Sequence, residues 1–164
     1  MVKYVDFINV MTYDYYAAWN GPQGCITGPP AQLYGGANAN TLSQNVNTTM
    51  NYYACVTLQV QKINLGIPFY GDAVFHPTGL VPYIYYNTST LTPINGVNGR
   101  FLGFENPASI GYKGDYAKNF NIGGLMVWNI DQDDSSFQMI VAVAQKASQL
   151  SVDNAIKYNC VLPG

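Results

Sequence analysis

At the end of the alternating run Val5-Asp6-Phe7-Ile8-Asn9-Val10 the chain reads Met11-Thr12-Tyr13-Asp14, setting a phenol beside a carboxylate where packing alone would favour Val or Leu. Alternate residues of a strand share a face, so Asn9, Met11 and Tyr13 point one way and Asp14 sits at the rim beyond them. Such a cluster can hold a polar ligand, and it can equally be a structural Tyr-Asp hydrogen bond. Trp128 is the second candidate. It alternates with Met126 and Gly124, which makes its indole either core or the floor of a ligand site. His76 is the one histidine and reads as a solvated imidazole in a variable loop. Cys25, Cys55 and Cys160 have no metal-ligand spacing, and their odd number leaves at least one thiol unpaired within the chain or bonded outside it. Neither a metal nor a cofactor is expected. The run Asp131, Asp133 and Asp134 reads as helix capping rather than chemistry.

Three strand-helix units have to position these residues. The first strand is followed by a Gly/Pro/Asn-rich loop from Asn20 to Asn40. Thr41-Leu42-Ser43-Gln44 then opens a helix through about Cys55, with Thr41 or Ser43 as cap and Val46, Met50 and Tyr53 at helical spacing. Lys62 to Ile67 forms a second strand that Pro68 ends, because proline has no N–H for the ladder, and the chain turns outward at Phe69-Tyr70-Gly71. Asp72 to Phe104 reads as a long irregular excursion. Tyr83, Tyr85 and Tyr86 alternate briefly there, as in a short hairpin arm packed on the rim of the fold. Asn106-Pro107 introduces a helix from about Ala108 to Asn119, Leu125 to Ile130 forms a third strand, and Asp133-Asp134-Ser135 caps a final helix to about Gln149. The order βα, βα, βα predicts a parallel α/β architecture whose outer strands have open edges, a route to self-association.

Composition narrows the partners. The chain has 164 residues and a formal net charge of -2, with only 10% charged residues against 14 Tyr, 7 Phe and 2 Trp, so its polar surface is built from amides, hydroxyls and phenols. That excludes a nucleic-acid partner, which needs clustered Lys and Arg. No apolar run is long enough to span a membrane, and no signal peptide precedes the first strand. Asn47-Thr48-Thr49 and Asn87-Thr88-Ser89 are glycan acceptor sequons, which matter only in a secreted protein.

Three co-ordered segments carry a resemblance. Val5 to Asp14, Leu65-Gly66-Ile67-Pro68-Phe69-Tyr70-Gly71, and the stretch from Gly123-Gly124-Leu125-Met126-Val127-Trp128 to Asp134 together look like a family 18 glycoside hydrolase of the chitinase type. The intervening Thr27-Gly28-Pro29-Pro30-Ala31 and Phe104 to Ile110 also fit, and the flavour resembles secreted invertebrate chitinase-like proteins, nematode ones in particular. The resemblance covers residues 1-150 and leaves 151-164 as a tail. It implies a partial (β/α)8 TIM barrel of about three units, strands six to eight, with a short irregular insertion between strands seven and eight. Three units do not close a barrel, which typically takes about 250 residues.

What the resemblance implies for function is hydrolysis of β-1,4-linked N-acetylglucosamine, with chitin or its oligosaccharides as partner, by a substrate-assisted route. In that route the acetamido oxygen of the substrate attacks its own anomeric carbon. Tyr13 matches the tyrosine that positions the acetamido group, and Asp14 the neighbouring aspartate. Trp128 matches the indole under the sugar, in relatives often followed by a cis peptide. Met11 and Met126 would line the pocket beneath, with Trp19 and Tyr70 on the cleft wall. The family's proton donor lies in Asp-x-x-Asp-x-Asp-x-Glu on strand four, and no such motif occurs here. Glu105 is the only glutamate, at a position with no catalytic part, and Asp72 stands where many active relatives carry arginine. The resemblance therefore implies a piece of a secreted, extracellular hydrolase that is inactive alone. The alternatives are a non-catalytic glycan-binding protein and a self-pairing partial barrel.

Overall fold

The computed structural model describes residues 2–16, 28–75, 83–87, 92–97, 100–151 and 153–160. Trp19, Cys25 and His76 lie outside the described residues. In chain order the elements are β1 (Ile8–Val10), α1 (Val46–Thr57), β2 (Ile63–Pro68), β3 (Asp72–Phe75), β4 (Tyr83–Asn87), β5 (Thr92–Val97), β6 (Arg100–Gly103), α2 (Pro107–Asn119), β7 (Gly124–Trp128) and α3 (Gln138–Ala147). The expected parallel architecture is present: β1, β2 and β7 form a three-stranded sheet in the order β1-β2-β7, parallel throughout.

The strand sequences explain which face is covered. Val10, Leu65 and Leu125 lie in one row across the sheet, with Ile63, Ile67 and Val127 on the same face, and all of them are apolar. Against that face pack Val46, Met50 and Ala54 of α1, Ile110, Tyr116 and Ala117 of α2, and Met139 and Val143 of α3. Ile63, Leu65 and Ile67 are wholly buried, and each such side chain contributes about 1.5–3 kcal/mol relative to exposure. The other face carries Asn9, Asn64, Gly66, Gly124, Met126 and Trp128, a row pattern no apolar core would select.

Local capping differs from the sequence expectation in one place. α1 is capped by Asn45, whose side chain accepts from the Thr48 N–H at 2.8 Å, rather than by Thr41 or Ser43. Thr41 instead closes a short 3-10 turn, Ala39–Thr41, started by Asn38, which leaves Asn45 as the next extended residue. α2 begins one residue earlier than expected, with Asn106 as its cap and Pro107 in its first turn, where a missing N–H costs nothing. Asp133 and Asp134 do serve the final helix. Asp133 accepts from the Met139 and Ile140 N–H groups at 3.1 and 2.8 Å, across a Phe137 held at φ 56°, so α3 starts later than Ser135.

The excursion after β2 is not irregular. β3, β6, β5 and β4 form a four-stranded antiparallel sheet in that order, with Asp72 opposite Gly103 and Tyr83 opposite Gly96. Its signal is weak in the sequence because β5 reads Thr-Pro-Ile-Asn-Gly-Val, and both Pro and Gly argue against a strand.

Residues 153–160 run back over the helices. Asn121 donates to Asp153 and to the Ala155 carbonyl, the Tyr158 ring stacks on Phe120 with centroids 4.4 Å apart, and Cys160 is disulfide-bonded to Cys55 of α1. Burial pushes the Tyr116 and Tyr158 phenols, hydrogen-bonded to each other at 2.6 Å, far above the usual tyrosine range. Inside α2's contact layer Lys113 pairs with Glu105, both almost fully buried, and Ser109 donates to the second Glu105 oxygen at 2.6 Å. Desolvation holds the Lys113 ammonium below its ordinary pKa, and the Glu105 carboxylate opposes that shift. The only glutamate is thus committed to a buried structural pair.

Candidate functional site

The carboxyl ends of β1, β2 and β7 bring the sequence candidates to one place. Thr12, just past β1, is wholly buried and donates to the Gly66 carbonyl at 2.6 Å, fixing the segment that carries Tyr13 and Asp14 against β2. Asp14 then adopts a left-handed backbone conformation, φ 58°, which turns the chain away from the sheet. The chain is held there from the other side by the Tyr15 N–H, 2.9 Å from the Pro30 carbonyl. At the end of β2, Tyr70 donates its hydroxyl proton to Asp14 and meets the Tyr13 ring edge-on at 6.1 Å. The end of β2 is tied to the end of β7 by the Phe69 N–H, 2.9 Å from the Trp128 carbonyl. A cis peptide follows Trp128.

Gly66 is the residue whose part the sequence reading did not identify. A Cβ there would lie 2.5 Å from the Val10 carbonyl oxygen, 2.9 Å from Tyr13 Cε1 and 3.1 Å from Met126 Cε. The Tyr13 ring and the Met126 side chain therefore meet over a position only glycine can fill. The available signal was a glycine interrupting an apolar strand, which marks close approach. The Asn9 and Asn64 amides form a second unanticipated feature, linked at 2.8 Å on the exposed face one row below.

The site is half closed and half open. Tyr13 is 7% exposed, and burial, with the Asp14 carboxylate adding to it, raises its phenol above the ordinary tyrosine value, so the hydroxyl stays a proton donor at neutral pH. Asp14 and Tyr70 are half-buried beside it. By contrast Met11 is 71% exposed and Trp128 58% exposed. Met11 stands at the open edge rather than beneath an enclosed pocket, and Met126 is partly buried against Gly66. The arrangement offers a flat uncovered indole, a phenol donor and an oriented carboxylate along one rim, suited to an uncharged polyhydroxy ligand with an apolar ring face. Trp19 lies outside the described residues, and no group of histidine, cysteine or acidic residues among those described can hold a metal ion.

The chain is similar to known proteins along most of its length. It is 27% identical over 206 residues to Probable chitinase 10 of Drosophila melanogaster, a match covering 97% of this chain and 9% of that protein. Among solved structures it superposes on the Ostrinia furnacalis group IV chitinase in complex with allosamidin with a TM-score of 0.79 at 23% identity, over 91% of this chain and 52% of the other. It also superposes on human YKL-39, described as a pseudo-chitinase with retained chitooligosaccharide binding properties, with a TM-score of 0.79 at 22% identity, over 89% of this chain and 51% of the other. The chain thus spans less than half the length of the curated relatives it matches and about half of those solved chains. The fold is part of a (β/α)8 barrel, with β1, β2 and β7 as three neighbouring parallel strands. The family model described as Glycosyl hydrolases family 18 matches residues 1–133, and the chain belongs to that family.

Proposed function

We propose that this chain carries the acetamido-binding half of a site for β-1,4-linked N-acetylglucosamine, and that it binds chitin oligosaccharides without cleaving them unaided. The observation that carries the reading is the Tyr13, Asp14 and Tyr70 cluster at the strand end that pairs with the end of β7, where Trp128 is exposed. The indole accepts the C–H face of a pyranose. The protonated Tyr13 hydroxyl then donates to the acetamido group and holds its oxygen towards the anomeric carbon. Asp14, oriented by the Tyr70 hydroxyl, binds the sugar at the scissile site. The leaving glycosidic oxygen still needs a proton. With Glu105 buried against Lys113, no glutamic acid in the chain is free to supply it, and loss of a general acid lowers a rate by about 10²–10⁴-fold.

That acid belongs to the missing strand four, so cleavage requires five more strand-helix units from a longer chain. In favour of such a parent is the exposed apolar belt beside the open β1 edge, where Tyr4 is 88%, Phe7 58%, Tyr52 63% and Val56 54% exposed. The Cys55–Cys160 disulfide favours a secreted protein, since such bonds persist in oxidising compartments. The second reading, a glycan-binding protein without hydrolysis, is favoured by the pseudo-chitinase description of YKL-39.

Calorimetric titration with the N-acetylglucosamine tetramer tests the proposal. Binding by the chain, lost tenfold or more in Trp128→Ala (about 1.4 kcal/mol or more), with no turnover of a fluorogenic chitobioside, is the expected outcome. Turnover would overturn the assignment of the missing acid. Absence of binding would overturn the claim that this half of the site is sufficient.

A further inference from the structure

We propose that Asn47 is an N-glycosylation site. The sequon Asn47-Thr48-Thr49 lies in the first turn of α1, in the helical layer on the side of the sheet opposite the cleft. The two ends of the Asn47 amide are in different environments. Its oxygen accepts from the Tyr116 hydroxyl at 3.1 Å, while its nitrogen has no acceptor among the described residues. The described side-chain polar atoms sealed from solvent without a partner are Gln32 Oε1, Gln61 Oε1 and Asn129 Oδ1. Asn47 Nδ2 is not one of them, so it opens to water on a residue that is itself only half-buried.

This polarity matches the chemistry. Nδ2 attacks C1 of the reducing-end sugar of a lipid-linked oligosaccharide diphosphate. The N–C1 bond forms, the C1–O bond breaks with its electron pair leaving on the lipid diphosphate, and one amide proton is released. The amide keeps its carbonyl, so the Tyr116 hydrogen bond survives the modification. Thr49, the third residue of the sequon, is held from the folded side by the Tyr15 hydroxyl at 2.6 Å, which consumes nothing the glycan needs. The disulfide independently favours maturation in an oxidising compartment, the setting in which such a transfer takes place.

The test uses protein purified from its source with an antibody, digested, and treated with N-glycosidase in isotopically heavy water. The Asn47 peptide is expected to appear as the isotope-marked aspartate form. Recovery of that peptide as unmodified asparagine before any treatment would overturn the proposal, whatever the state of Asn87. In chain secreted from eukaryotic cells, Asn47→Gln should lose one glycan step on a gel and Thr49→Ser should keep it. Enzymatic removal of the glycan should leave binding of the N-acetylglucosamine tetramer unchanged, so this result stands or falls apart from the cleft reading.

Discussion

The two faces of the β1-β2-β7 sheet are built from the same strands and obey different rules. Towards the helices, Ile63, Leu65 and Ile67 are sealed and even the charged Glu105 and Lys113 are buried as a pair. Towards the other face, alternate residues of the same strands are amides, glycines, Met126 and an indole left 58% exposed. A period of two along each strand is what separates them. The lesson is that one face carries stability and leaves the other free for the proposed recognition, so substitutions should sort cleanly by parity.

Three changes would break or sharpen that division. Lys113→Met should have the largest effect, because it leaves the Glu105 carboxylate buried without its counter-charge; a loss of about 3–5 kcal/mol in urea unfolding is expected. A loss below 1 kcal/mol would mean the pair is solvated in solution. Gly66→Ala tests the point where the faces touch, since its Cβ would meet the Val10 carbonyl and the Tyr13 ring together. Overpacking of this kind costs about 1–3 kcal/mol, and here it should also weaken oligosaccharide binding, unlike Lys113→Met. Trp128→Ala should have the smallest effect on unfolding, within about 0.5 kcal/mol, while it removes binding. A larger destabilisation would place the indole in the core.

The sequence displayed that parity well and the rest of the molecule unevenly. β2 and α2 were readable because Pro68 and the Asn106-Pro107 pair stop and start backbone hydrogen bonding at fixed places. The antiparallel sheet of β3 to β6 was hidden, since its pairing joins residues far apart in the chain and β5 carries Pro93 and Gly96. In the site, Tyr13, Asp14 and Trp128 announced themselves as polar or aromatic residues at strand ends. Gly66 did not, for its contribution is an absent side chain, and only the packed geometry reveals what a Cβ would strike. The partner of Asp14 was likewise out of reach: Tyr70 was readable as a wall residue, but its hydrogen bond joins the ends of two different strands.

The bond between Cys55 and Cys160, 105 positions apart, closes most of the chain into a covalent ring. β2, the antiparallel sheet, α2, β7 and α3 all belong to the ring, and Trp128 with them. Tyr13 and Asp14 lie on the free arm before it. A protease that cuts within the ring leaves one molecule, still a single band until the disulfide is reduced. A cut between residues 28 and 46 has the opposite character: it severs the chain path from the phenol and carboxylate to the indole, and the Cys55–Cys160 bond does not span the break. The two halves of the proposed sugar site are neighbours in space that lie on opposite sides of the ring's entry point, one inside the covalent ring and one outside it.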